Sequence, residues 1–455
     1  MLLRHSLGSR PCAFGGSRSA ARLFAGLIAL PLAFLVLSGP GAQAGAKAWQ
    51  GREETRGGVL HVMNPAEPAA GEASLRPQEL WRLGGESEAD EELFGRLDAI
   101  LVDEKGEIYL LDSQLNEIRV FSAQGDYLRS LGREGEGPGE FRNASAFFFL
   151  DGGRLAVTQI MPSRIVVLDR ATGAGFADLP LPEAPGSVMS LIHRAEGHGG
   201  RIVLSLMSPI MTPDGLVTRR SLTALNGDGG AIGDLKVVET KEGHGDRISI
   251  SNEQDEDWFR FWSLGADGRV YVAPFYQGYA IHVLGRDGAE DRIIERAYET
   301  LPRSRAEMAR LERVNEEAPE FSGARVEQEF NPNHRDVDAL FPRADGSLWV
   351  LTSRGRVEKP AGALGVFDVF DAQGRFQQRL TVFADYAEEY DDFIIQDHWL
   401  FVIKEAKTVP GSTASQGSEA GGMMVVIRRT GGAEGEEDEG REAKPLEVVG
   451  YELGI

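Results

Sequence analysis

Six times along the chain a short apolar strand opens after a glycine or aspartate and is followed by a second apolar strand. The openings run from Gly106 to Leu111, Gly153 to Val157, Gly200 to Leu204, Gly268 to Val272, Gly346 to Val350 and Asp397 to Phe401. The second strands are Ile118 to Phe121, Ile165 to Leu168, Leu222 to Leu225, Ile281 to Leu284, Phe367 to Phe370 and Met424 to Ile427. The turn after them is copied as Ser122 to Gly125, Gly285 to Gly288 and Asp371 to Gly374. Glycine there supplies the positive φ that a tight hairpin turn requires.

Successive openings lie 47, 47, 68, 78 and 51 residues apart, so the longer intervals contain insertions. Short β-rich runs with glycine turns at a period of about 40 to 50 residues are the mark of four-stranded propeller blades. An inner strand precedes each opening, as in Leu97 to Val102, Trp258 to Leu264 and Val337 to Phe341. An outer strand follows each turn, as in Tyr127 to Leu131 and Arg375 to Val382. The expected fold is all-β, a six-bladed β-propeller of four-stranded antiparallel blades with strands a, b, c and d. One short helical insertion, about 298–335, falls between blades four and five.

A lone blade exposes both faces of its sheet, so the ring must close. Leu80 to Gly84 precedes Phe94 as Tyr127 to Gly132 precedes Phe141. The amino segment therefore reads as an outer strand that completes blade six. Leu446 to Leu453 competes for the same edge or adds beside it.

The connector Gly132 to Phe141, with the strand pattern from Tyr109 to Gly132 before it, resembles an NHL-type repeat. The chain resembles the exported bacterial six-bladed β-propeller proteins over roughly residues 76–453, most fully in blades one and two. Relatives of that fold range from pure binding scaffolds to lactonases and lyases. The resemblance thus implies the fold and leaves function open.

The first 44 residues have the order of a secretory signal. Arg4, Arg10, Arg18 and Arg22 precede an apolar stretch from Leu23 to Leu37, then Ala42, Gln43 and Ala44. About 15 apolar residues interrupted by Pro31 are short against the roughly 20 that span a bilayer. Cleavage after Ala44 gives an exported product, periplasmic or extracellular, with no transmembrane segment. Residues 45–75 then read as an amino-terminal extension and 76–455 as the propeller, with an acidic loop at 430–444. Cys12 is the single cysteine. Without the leader, disulfides, thiolate nucleophiles and Cys-ligated metals are excluded. Forty-four basic residues then face 70 acidic ones, a net −26. Such a surface repels phosphate backbones, so no nucleic-acid partner is expected. A monomer is expected.

In an antiparallel meander the b–c loops and d–a connectors emerge on one face, and the a–b and c–d turns on the other. The long segments, about 205–220, 239–257, 298–335, 353–364 and 405–422, fall on the first face. The acidic run is read as a c–d loop of blade six. Repeat proteins place insertions on their binding face, because a rigid scaffold positions loops free to vary. Within 298–335, Ser304 and Glu307 have capping-box spacing, with Met308, Leu311 and Val314 at helical intervals before Pro319. That helix either lids the central opening or packs its apolar stripe on the scaffold.

Aligning the opening glycines places Asp98, Ser145, Arg260 and Asp338 at one position where strand a starts, at the mouth of the central channel. Two carboxylates and an arginine there suit a cation or a small polar ligand, or else cap strand ends. Arg164 and Tyr276, in b–c loops of blades two and four, extend the rim. The ligand-binding candidates are therefore Asp98, Arg164, Arg260, Tyr276 and Asp338. The mature histidines, His61, His193, His198, His244, His282, His334 and His398, form no HExxH, and there is no GxSxG or phosphate loop. No catalytic residue, metal ligand or cofactor is assigned. The aromatics from Trp258 to Tyr279 read mostly as core between blades.

Two readings follow. The preferred one is a non-catalytic exported propeller that binds a protein, peptide or saccharide on its loop-rich face. The alternative is a metal-dependent hydrolase or lyase of the propeller type, with carboxylates at the channel mouth.

Overall fold

Every residue of Ile108–Asp112 is buried, because both faces of this strand meet a neighbouring sheet. The same holds for Leu348–Thr352 and for most of Arg154–Gln159 and Trp399–Lys404. A computed structural model describes residues 48–409 and 444–454, apart from 214, 242–246, 251–255, 317–319, 322–323 and 329. The leader, 1–44, and all of the 430–444 loop except Lys444 lie outside the described residues.

Six sheets carry the expected repeat. Blade one is Leu97–Val102, Ile108–Asp112, Glu117–Phe121 and Tyr127–Leu131, paired antiparallel in sequence order. Blade three is Leu191–His198, Arg201–Thr212, Gly215–Asn226 and Ala231–Lys241. Blade four is Trp262–Leu264, Val270–Val272, Ala280–Leu284 and Glu290–Arg296, and blade five is Val337–Pro342, Leu348–Thr352, Ala363–Phe370 and Phe376–Phe383. The c–d turns repeat atom for atom: the amides of Gly125, Gly288 and Gly374 donate to Ser122, Gly285 and Asp371 at 2.9, 3.0 and 2.8 Å. All three glycines have φ between 83° and 87°, which other residues adopt only under strain.

Apolar layers between consecutive blades hold the sheets in a ring. Tyr109, Leu111 and Val120 of blade one meet Phe147, Leu155 and Val166 of blade two. Ile165 and Val167 then meet Ile202 and Leu204 of blade three, and Val203 and Leu222 meet Trp262 and Val272 of blade four. Ile281 and Ile294 meet Val350 and Phe370 of blade five, and Trp349 and Phe367 meet Leu400 and Val449 of blade six. The sixth layer joins Phe401 and Val448 to Ile108 and Phe121 of blade one. The fold is a six-bladed β-propeller.

The amino-terminal segment runs around the outside of this ring. Strands β1 (Arg52–Arg56) and β2 (Val59–Asn64) form a hairpin added in parallel to the outer strand of blade four. Strand β3 (Glu72–Leu75) adds in parallel to blade five. Strand β4 (Gln78–Gly84) is the outer strand of blade six. Asn64 ties two blades, donating to the carbonyls of Glu295 and Gly374 and accepting from the Phe376 amide at 2.7 Å. Both terminal segments therefore find a place, since Glu447–Glu452 sits between β4 and Trp399–Lys404.

That placement corrects the reading of blade six. Its strand c is Glu447–Glu452, whereas Met424 to Ile427 lies outside the described residues. The acidic run thus belongs to the b–c connection, 405–446, and not to a c–d loop. Two further details differ. The 205–220 stretch is no loop, because strands b and c of blade three pair without interruption out to Thr212 and Gly215. Blade two has three strands, Ala144–Leu150, Arg154–Gln159 and Arg164–Asp169, and its outer position is taken by an irregular segment that bridges Ile165 to Leu179 and Leu168 to Gly175. The expected helix is present as α1 (Arg305–Glu316), with the Ser304 amide donating to Glu307 at 2.7 Å and the Glu307 amide to Ser304 Oγ at 3.2 Å. A second short helix, α2 (Ser353–Val357), follows strand b of blade five. Among the described residues no helix is long and apolar enough to cross a membrane.

Ring closure concentrates at Trp81 of β4. Its ring lies over Gly450, where an added Cβ would sit 2.6 Å away, and its Nε1 donates to the Ala123 carbonyl of blade one at 3.2 Å. Trp81→Ala is expected to lower unfolding free energy by about 3 to 5 kcal/mol in a denaturant titration. A loss under about 1 kcal/mol would contradict closure through β4.

Candidate functional site

Strand a is the innermost strand of each blade, and its amino-terminal end meets the loop-rich face. In blades one, two, three and five that end carries the same irregularity. Pairing with strand b slips between Leu97 and Ala99, Ala144 and Ala146, Ile192 and Arg194, and Val337 and Ala339. Each slip leaves one extra residue: Asp98, Ser145, His193 and Asp338. A bulge of this kind re-aims its side chain, and none of the four belongs to the six apolar layers. All four stand at the loop-rich end of strand a.

The two carboxylates are each committed to an arginine. Asp98 Oδ2 lies 3.1 Å from Arg96 Nε and accepts from the Ser113 hydroxyl. Burial raises the Asp98 pKa, and Arg96 and Ser113 only partly offset it. Asp338 Oδ2 lies 2.7 Å from Arg356 Nε, and Arg356 also reaches Glu388 at 3.1 Å. Those two acids raise the Arg356 pKa. Among the described residues no group of three or more His, Cys, Asp or Glu side chains is placed to hold a metal ion.

Arg260 sits in the turn before strand a of blade four, against Asp257, whose Oδ1 also accepts the Phe259 amide at 2.9 Å. Burial pushes the Asp257 pKa up, but Arg260 and that amide outweigh it and hold it below the usual carboxylate value. Tyr276 is buried beneath the 298–335 insertion. Its hydroxyl donates to the Asn333 carbonyl at 3.2 Å and accepts from Arg303 at 3.0 Å. Arg164 pairs with Asp178 at 2.8 Å on the flank of blade two.

Three of the five candidates come together around Arg335. This buried guanidinium lies 3.6 Å from the centroid of the Phe261 ring and donates to the carbonyls of Val337 and Ala273. Burial lowers its pKa to about 10, with Asp257 and Asp338 pulling it back, Arg260 pushing further down and Tyr276 within range. Asp98 and Arg164 do not join this group. Of the aromatics, Trp258, Phe259 and Trp262 fill the layer between blades three and four, and Tyr271 and Tyr279 that between four and five.

His193 is the residue that glycine alignment misses. The interval to the opening glycine is eight residues from Asp98, Ser145, Arg260 and Asp338, but seven in blade three, so the count lands on Ile192. The cause is a tight a–b turn, in which His198 pairs directly with Arg201. His193 is exposed to solvent. Desolvation by the surrounding protein and the cationic neighbours Arg260, Arg194 and Arg220, opposed by Asp257, lower its pKa to about 4.

The family described as 6-bladed beta-propeller matches residues 88–182, which span blade one and the three strands of blade two. Among solved structures, the chain is similar to a protein of Bacteroides fragilis NCTC 9343 described as exported, at 12% identity over 83% of this chain and 99% of that one, with TM-score 0.41. It is also similar to regucalcin, a calcium-binding protein of Agrobacterium tumefaciens, at 12% identity over 84% and 95%, with TM-score 0.35. A third is virginiamycin B lyase of Staphylococcus aureus, at 10% identity over 72% and 96%, with TM-score 0.35. Likeness at this level carries no implication for what this chain does. No curated protein matches it at a significant level.

The His193 environment sets a pH dependence. Its folded pKa of about 4 lies below the ordinary 6.5, so between these values the unfolded chain binds a proton that the folded chain does not. This residue's contribution to stability is complete above pH 6.5 and declines as pH falls toward 4. His193→Gln should flatten that part of a pH–stability curve. A His193 ring resonance titrating near pH 6.5 would contradict the geometry.

Proposed function

We propose that this protein is an exported binding propeller that captures a protein, peptide or saccharide on its loop-rich face. The observation that carries the reading is the blade-three hairpin. Strands b and c continue past the core of their blade and carry Met211, 73% exposed, to the hairpin end. Beside them lies the connector from blade two, bridged through Ser187 to Ile210, with Met189 exposed and Val188 84% exposed. Ile160 and Met161, in the b–c loop of blade two, are exposed on the same face.

Apolar side chains gathered on a protruding, rigidly paired element are a common mark of an interaction site, since solvation alone disfavours them. Among the described residues the opposite face carries tight turns, such as Gly106 to Asp103 and Gly346 to Arg343. The order of the leader supports export. The hydrolase or lyase reading lacks comparable support, because the rim carboxylates are each held by an arginine.

Shortening the hairpin by replacing residues 209–217 with a two-residue turn tests the proposal. The variant should keep its thermal midpoint and lose at least about tenfold in affinity for whichever arrayed peptide or saccharide the parent binds. Equal losses from altering the c–d turns on the opposite face would overturn it.

A further inference from the structure

The side of blade three that faces blade four changes character toward the loop-rich end. Leu222 lies in the apolar layer against Trp258 and Trp262. Two residues earlier on the same strand, alternation puts Arg220 on that same side, paired across the hairpin with Met207. On strand a, Arg194 follows the His193 bulge, pairs with Glu196 at 2.6 Å and reaches the Arg260 carbonyl at 3.5 Å. The gap between blades three and four at the channel mouth is thus walled by Arg194, Arg220 and Arg260. Arg335 stands behind Arg260 from blade five.

Among the described residues, the acids beside this group are already committed. Asp257 is committed to Arg260 and to backbone amides, and Glu196 to Arg194 and to the Leu264 amide at 2.7 Å. Among the described residues Arg335 donates to the backbone carbonyls of Val337 and Ala273, and Arg220 has no ion-pair or hydrogen-bond partner for its side chain. His193, between them, is reached by solvent and likewise makes no side-chain hydrogen bond among the described residues. Among the described residues this leaves a local surplus of guanidinium, which in a chain of net charge −22 is selective for an anion. The nearby Asp257 and Glu196 favour a singly charged group over phosphate, and a planar guanidinium matches a carboxylate.

We propose that the channel mouth between blades three and four binds a small organic carboxylate, with Arg220 as its principal cation and His193 as a hydrogen-bonding neighbour. This rests on the loop-rich face being the binding face and names the chemistry that it selects there. The charges of Arg260, Arg194, Arg220 and Asp257 all act on the imidazole, so a bound carboxylate changes its field directly.

The test follows the His193 ring resonance through a pH titration of the whole mature chain. N-acetylglycine stands for a chain-terminal carboxylate and glucuronate for an acidic sugar. N-acetylglycinamide and glucose are their neutral counterparts, and inorganic phosphate is the competing anion. A carboxylate should raise the His193 pKa from about 4, while its neutral counterpart leaves it in place. The tighter carboxylate identifies the source. Arg220→Met should weaken binding by about tenfold or more with an unchanged thermal midpoint. Neutral counterparts binding equally, phosphate binding more tightly than both carboxylates, or an Arg220→Met variant of parental affinity would overturn the proposal.

The two readings fail separately. If carboxylates leave His193 unmoved while the hairpin variant still loses its partner, the carboxylate site falls and the binding face stands. If carboxylates bind but the shortened hairpin keeps its partner, the carboxylate site stands and the hairpin reading falls.

Discussion

The structure depends on apolar contact between consecutive sheets. A strand such as Ile108–Asp112 is buried on both sides only because blades six and two stand against it. Remove one neighbour and a whole face of the sheet meets water, at about 25 cal/mol for each Å² of apolar surface. The ring therefore has to close, and closure joins the two ends of the chain. Strand β4 and Glu447–Glu452 are far apart in sequence, yet they share blade six and place Trp81 against Gly450.

Closure in turn fixes the innermost strands. With the innermost strands held in a circle, a bulge recurs at the same end of strand a in four blades, at Asp98, Ser145, His193 and Asp338. What separates these positions chemically is their neighbours. Arg96 and Arg356 neutralise the two aspartates, whereas His193 looks into a gap where guanidinium outnumbers carboxylate. The cationic gap and the exposed Met211 hairpin both belong to blade three. The two proposed recognition features thus share one sector of the face.

Much of this was legible in the sequence where the determinants are local. A glycine at positive φ after an apolar strand gives the same turn wherever it occurs, so the repeat announced the blades and their number. The capping box at Ser304 and Glu307 was local in the same sense. Positions depending on distant partners were less visible. Met424 to Ile427 has the apolar pattern of a strand, but the place beside Trp399–Lys404 goes to Glu447–Glu452, which β4 covers on its other side. The parallel additions of β2 and β3 to blades four and five leave no periodic signal, because each borrows the edge of a sheet formed hundreds of residues later. His193 escaped for a subtler reason: a two-residue turn shortened the count by one, and a slip of one residue changes which side chain stands at a position. Strict alternation traced back from Leu222 finds Arg220, but its relevance needs blade four beside it.

Native-state hydrogen exchange at β4 tests the central claim most directly, since the closed ring makes an amino-terminal strand part of the core. The β4 amides bonded to Glu447–Glu452 should exchange as slowly as those of Trp399–Lys404, opening only with the whole ring. Exchange at the rate of a fraying chain end, with the rest of blade six still protected, would contradict it.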